Sequence, residues 1–186
     1  MSAGSRSDRG PALSVVPDLP SPEETRWLDD DQQASWRALV LGTQLLMDRL
    51  DDELHEHGLS LAEYEIMVRL SASDEGCMRM ARLADSLAHS RSRVTHTIAR
   101  MEKAGLVQRS TSPEDGRGIV ASLTPDGWAR LREAAPTHVT GVRGHLVDLV
   151  SAEDLQAVGR VLNAVADHLI GDHPEREIRQ GCDQEA

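Results

Sequence analysis

The chain has 186 residues, 39% of them hydrophobic and 27% charged, with a formal net charge of −11 at neutral pH. That length suits one compact domain with helical additions, and the composition is that of a globular chain rather than a disordered one. Aromatic residues total 2% and Phe is absent, so the core must be aliphatic, and no apolar run nears the roughly 18 residues a membrane span needs.

Residues 1–28 open with "MSAGSRSDRGPALSVVPDLPSP", rich in Ser, Gly and Pro and without the apolar stretch of a secretory signal; a flexible tail is expected. Ser21-Pro22-Glu23-Glu24 nevertheless has the form of a helix start, with a capping serine and proline at the first helical position. From Asp29 the apolar positions Trp36, Leu39, Val40, Met47, Leu50 and Leu54 fall at three- and four-residue steps, which predicts one long helix ending near Gly58. Ser60-Leu61-Ala62-Glu63 is a capping box that opens a helix with Tyr64, Met67, Val68 and Leu70 facing inward.

After "SDEG", the run "MRMARLADSLA" predicts a short helix, and a turn through His89 and Ser90 leads into a second. Two short helices across a tight turn form a helix-turn-helix. "LVQRSTS" and "GIVASLT" alternate and flank "PEDGRG", which predicts a β-hairpin. Thr124 and Pro125 then start a helix carrying Trp128, Leu131, Ala135, Val139, Val142, Leu146 and Leu149 on one face, with Pro136 inside it. Ser151 opens a last helix with Leu155, Val158, Val161, Leu162, Val165 and Leu169 on one side, and residues 171–186 form a polar tail.

The fold class expected is mostly α (α+β): a winged helix-turn-helix with a small β-hairpin wing and long N- and C-terminal dimerisation helices. In domain terms, residues 59–124 form the winged region, and residues 29–58 with 125–170 form the dimerisation region. The apolar stripes at both ends exceed what one small winged domain covers, and surplus apolar helical faces are satisfied most simply by a two-fold dimer.

Charge is distributed unevenly. Residues 79–117 contain eight Arg or Lys against four acids, a local +4 that leaves −15 on the remainder. Within this segment, Val94, Ile98 and Met101 mark the buried side of a helix that starts at Ser90. The complementary face carries Arg91, Ser92, Thr95 and His96, with Arg93 and Thr97 at its borders. Arginine pairs bidentately with guanine in the major groove, and the N-terminal part of the second helix is what a helix-turn-helix inserts there. The hairpin tip adds Asp115, Gly116 and Arg117. A tip arginine suits the narrow minor groove, and Asp115 is placed to hold its guanidinium. Taken singly, these features equally describe a solvated helix face and an exposed turn with a local salt bridge.

The phrases "LSLAEYEIMVRL", "MARLADSL", "SRSRVTHTIARMEKAGLVQR" and "SPEDGRGIVASLTPDG" resemble the MarR family of winged helix-turn-helix transcription regulators, and the resemblance covers residues 29–170. It implies a homodimer on a pseudo-palindromic DNA operator and repression relieved by a small molecule, often an aromatic acid. It implies a recognition helix over residues 90–103 with Ser90, Arg91, Ser92, Arg93, Thr95 and His96 at the groove, and a wing of Asp115, Gly116 and Arg117. Arg109, on the first wing strand, is a candidate phosphate contact. The wing departs from many members by placing Gly116 where they have a second arginine. By fold analogy, an effector cleft would use Trp36, His55 and Tyr64.

Cys77 and Cys182 are too far apart for a disulfide framework, and neither sits in an evident thiolate-activating setting, so a cytoplasmic protein without a redox site is expected. The eight histidines show no tight metal-ligand spacing, and neither metal nor cofactor is expected. No phosphate loop, G-x-S-x-G or paired-histidine motif supports an enzyme. The alternative reading is a winged-helix protein-interaction module without specific DNA binding.

Overall fold

The computed structural model describes residues 24–73, 76–111 and 118–170. The expected N-terminal tail up to Glu23, the hairpin tip with Asp115, Gly116 and Arg117, and the tail from Gly171 with Cys182 lie outside the described residues. The chain divides into two compact units, Met1–Val40 and Leu41–Ala186, and helix α1 (Asp30–His55) runs through the boundary.

In the first unit residues 25–29 form no helix, so no helix continues from the Ser21-Pro22 signal. Asp29 supplies the cap instead. Its Oδ1 accepts from the Gln32 N–H at 2.8 Å, and Gln32 Oε1 accepts in return from the Asp29 N–H at 3.2 Å. This reciprocal pair satisfies two donors that a helix start otherwise leaves bare. Trp27, Leu28 and Trp36 are exposed at 73%, 48% and 58%.

The second unit contains the last turns of α1, then α2 (Leu61–Ser71), β1 (Cys77–Arg79), α3 (Met80–Ser86), α4 (Arg91–Lys103), β2 (Val107–Thr111), β3 (Ile119–Leu123), α5 (Pro125–His145), a 3-10 turn at Val147–Leu149 and α6 (Ala152–Ile170). Gly58 follows α1 at φ +68°, as a helix-ending glycine does. The Ser60 capping box is formed in full. Ser60 Oγ accepts from the Glu63 N–H and the Glu63 carboxylate accepts from the Ser60 N–H at 3.0 Å. Thr124 caps α5 by accepting from the Gly127 N–H at 3.0 Å.

Four expectations need correction. The hairpin is part of a three-stranded antiparallel sheet of order β1-β3-β2, because Cys77–Arg79 pairs with β3 in the register Cys77↔Ser122 to Arg79↔Val120. The helix expected from Met78 therefore starts at Met80, and Cys77 sits in strand β1. On α2 it is Ile66 that is buried, while Val68 is 38% exposed. Finally, α5 ends at His145, so Leu149 falls in the following turn at 71% exposure, and Val139 faces out at 55%. Pro136 is accommodated inside α5, where its ring removes one backbone donor.

The core gathers Leu54, Ile66, Met67, Leu70, Leu83, Val94, Ile98, Met101, Val107, Ala121, Leu131 and Ala134, all buried. Each fully buried aliphatic side chain contributes about 1.5–3 kcal/mol, so the α4 face alone anchors that helix firmly. By contrast α6 has no buried residue among those described, and Val158, Val161, Leu162 and Val165 are 44–56% exposed.

Where α5 begins, Gly127 packs directly on the backbone of Leu106, and a Cβ there would overlap the Leu106 carbonyl oxygen. That oxygen also accepts from the Thr124 N–H at 3.1 Å, so neither backbone can give way cheaply. Gly127→Ala is expected to destabilise the fold by about 1–3 kcal/mol or more, the range for an overpacked site, as a lowered thermal or urea midpoint. A wild-type midpoint would refute the close approach.

Candidate nucleic-acid interface

The interface is built on α4. Val94, Ile98 and Met101 are buried as expected, and Thr97 joins them at 8% exposure because its Oγ1 donates to the Arg93 carbonyl at 3.1 Å. A threonine with its hydroxyl so satisfied enters a core at little cost. With that face docked, Arg91, Ser92, Arg93, Thr95 and His96 are all exposed on the outside. Ser90 is the N-cap, its Oγ accepting from the Arg93 N–H at 3.3 Å. The remaining first-turn N–H groups and the positive end of the helix dipole face the same solvent, which favours a phosphate.

Ion pairing sets two arginines of this segment apart from two others. Arg100 lies 3.3 Å from Glu63, and Arg109 pairs with Glu102 at 2.5 Å. Arg91 and Arg93 have no carboxylate within ion-pair distance among the described residues. The arginines on the framework are thus neutralised, while those on the outward face of the first turn keep their charge for a polyanion. Arg109, a candidate phosphate contact by sequence, has its guanidinium committed to Glu102 through Nε at 2.9 Å as well.

A second feature lies behind this surface. A cleft of about 350 Å³ is lined by Tyr64, Glu65, Val68 and Arg69 of α2, His138 of α5 and the turn of Ser86, Leu87 and Ala88 that leads to α4. Of the three expected ligand residues only Tyr64 lines it. His55 instead bonds the Asp51 carbonyl at 2.7 Å, and Trp36 belongs to the first unit. His138 was not legible in the sequence. Its ring lies 4.5 Å from that of Tyr64, and its Nδ1 is buried with no hydrogen-bond partner among the described residues. Burial pulls the His138 imidazole below the ordinary histidine value of 6.5, with the Glu65 and Glu53 charges opposing. Burial likewise lowers His89, next to the recognition turn, with Arg93 adding to the effect and Glu65 opposing. Tyr64 is raised above its usual value of 10.0 by burial.

Among the described residues no group of three His, Cys, Asp or Glu is arranged to hold a metal, and no helix is long and apolar enough to cross a membrane.

The two neutral imidazoles make stability depend on pH. The unfolded chain takes up their protons near 6.5, whereas the folded state resists until lower pH, so the unfolded state binds more protons in between. Their contribution is complete above pH 6.5 and is lost as pH falls below it. Thermal midpoints measured from pH 8 to pH 5 (about 1.5 units either side of an ordinary histidine) are expected to drop on the acid side, and His138→Gln to flatten the drop. An equally steep profile in that variant would count against the buried neutral form.

Comparison with known proteins follows the same lines. A MarR family model matches residues 59–119. The HTH-type transcriptional regulator PecS of Dickeya dadantii is 28% identical over 138 residues, covering 71% of this chain and 82% of that protein. The crystal structure of AbsC, a MarR family transcriptional regulator from Streptomyces coelicolor, superposes with a TM-score of 0.77 at 43% identity, covering 79% of this chain and 99% of that one. Sco3205, a MarR family transcriptional regulator from the same organism solved in complex with DNA, gives a TM-score of 0.76 at 37% identity, covering 79% and 92% of the two chains.

Proposed function

Because the chain belongs to the MarR family of DNA-binding transcriptional regulators, we propose that its α4 reads an operator through the major groove and that the protein acts as a repressor. The observation that carries this reading is the pair Arg91 and Arg93, exposed and without acidic partners among the described residues, on the outward face of a helix whose other face is buried in the core. Ser92, Thr95 and His96 complete the reading face, and Ser90 presents the helix N-terminus to a phosphate. Asp115, Gly116 and Arg117 are assigned to the minor groove from sequence alone. The relatives matched are transcription regulators rather than enzymes.

A homodimer on a pseudo-palindromic operator fits the exposed apolar stripe of α6 and the exposed Leu41 and Leu45 of α1. In this reading residues 59–124 contact DNA, residues 29–58 and 125–170 dimerise, and the protein works in the cytoplasm. Two such copies place their recognition helices about one helical turn apart, roughly 10 bp. The small-molecule effector is assigned to the cleft of Tyr64 and His138, which supplies an aromatic face, one unpartnered ring nitrogen and Arg69 at its wall. A planar aromatic acid suits that set.

Duplexes selected from a random library by the wild-type protein provide the operator for the test. Alanine at Arg91, Arg93 or His96 is expected to relax base preference at individual positions, at about 1–3 kcal/mol for each bidentate pair removed. Arg117→Ala should weaken all sequences alike and reduce the salt slope by about one phosphate's worth. Unchanged operator binding in all four variants would sink the site assignment, and failure of the library to yield any preferred sequence would favour the protein-interaction module. Separately, Val161→Asp is expected to shift the sedimenting species toward monomer, whereas an unaltered dimer would place the interface elsewhere.

A further inference from the structure

The recognition helix and the wing meet at a turn closed by backbone bonds, from the Gly105 N–H to the Glu102 carbonyl at 3.0 Å and from the Leu106 N–H to the Met101 carbonyl at 2.9 Å. Gly105, at φ +76° between α4 and β2, has open space where a side chain would stand. The strand it leads into, β2, is an edge strand, paired with β3 on one side only. Across this turn reaches a single carboxylate. Glu102 Oε1 accepts from the Arg109 backbone N–H at 3.1 Å, while its Oε2 accepts from Arg109 Nε at 2.9 Å and from a terminal guanidinium nitrogen at 2.5 Å. One residue in the last turn of α4 therefore holds both the main chain and the side chain of the strand that leads to the wing tip. From the other side, Thr124 Oγ1 donates to the Gly105 carbonyl at 2.6 Å.

As a contribution to stability this pair is small. Both side chains are about one-third exposed, at 35% and 34%, and an ion pair open to solvent adds little to stability. Its geometry is more specific than its energy. Three bonds from one carboxylate to the main and side chain of one residue, closed over a glycine turn, suppress pivoting between two elements that must meet DNA together.

Resting on the DNA-reading role above, we propose that Glu102 is a positioning residue for operator recognition: through Arg109 it fixes the angle between the recognition helix and the wing. Arg109 on this account is committed to Glu102 and makes no phosphate contact. The pre-set angle spares the ordering cost that a loose wing would meet at each binding event.

The test titrates the selected operator and a random duplex at several salt concentrations against wild type, Glu102→Ala, Arg109→Ala and the double variant. Operator affinity is expected to fall about fivefold in either single variant, the factor equivalent to roughly 1 kcal/mol, and no further in the double variant. Because the wing is read as contacting every sequence, random-duplex affinity should fall by no more than the operator's, while the salt slope and the thermal midpoint stay as in wild type. Glu102→Gln, which keeps an oxygen acceptor for the Arg109 N–H, should recover part of the affinity. Without DNA, hydrogen exchange at the Arg109 amide should accelerate in Glu102→Ala.

A salt slope reduced by about one phosphate's worth in Arg109→Ala, with Glu102→Ala binding as tightly as wild type or tighter, would overturn the proposal and make Arg109 a phosphate ligand. A lowered thermal midpoint that accounts for the weakening would also overturn it, as would unchanged amide exchange. A wild-type protein that prefers no operator would overturn the regulator reading itself. The exchange measurement reads the brace independently of that result.

Discussion

A helix holds arginines bare to solvent in a fixed direction only if its opposite face is anchored, and in this chain the anchor is the burial of Val94, Thr97, Ile98 and Met101. Those four side chains set the rotation of α4 about its own axis to within a fraction of a turn. Arg91, Ser92, Arg93, Thr95 and His96 then face outward by geometry, since residues at the intervening positions of a 3.6-residue period have no other side to occupy. The neighbouring elements exist to make that burial possible. The α2 core residues Ile66 and Met67, the strand residue Val107 and the α5 residues Leu131 and Ala134 all belong to the same cluster.

The same framework pairs cations that lie away from the first turn of α4. Glu63 caps α2 through Ser60 and also faces Arg100, while Glu102 takes up Arg109. Each acid does a local structural task and, in doing it, pairs a positive charge at the far end of α4 from its first turn. Arg91 and Arg93 keep their charge beside the helix N-terminus. Specific recognition gains from this arrangement, because phosphate contacts raise affinity for every sequence whereas base contacts separate one sequence from another.

Legibility from sequence followed the range of the forces involved. The caps at Ser60 and Thr124 were readable because they depend on residues within four positions, and α4 was readable because its buried period is short and regular. Strand β1 was not readable, since three residues with no alternation become a strand only by pairing with β3 some forty positions later. Thr97 looked like a border residue because the bond that lets it be buried, to the Arg93 carbonyl, leaves no mark in composition. His138 escaped for the opposite reason. Its significance lies in its distance from Tyr64 and in an unpartnered nitrogen, both products of tertiary packing. The apolar stripes of α1 and α6 were read correctly as stripes, yet in the single chain only Leu50 and Leu54 of α1 are buried. A periodic pattern states that a face is to be covered without stating by what.

The acidity of the whole chain is consistent with a basic reading surface once distance is considered. At physiological ionic strength the screening length is about 8 Å, so a phosphate near Arg91 responds to charges within the first turns of α4 and hardly at all to carboxylates elsewhere on the chain. Within a screening length of the rest of the surface, the −15 carried outside residues 79–117 repels a polyanion that approaches there. Attraction is therefore confined to close encounters made by one surface, and unproductive encounters by the remaining surface are disfavoured. A uniformly basic protein of the same fold would bind DNA more tightly and discriminate less. The net charge that at first argues against nucleic acid thus acts as a filter on how the chain meets it.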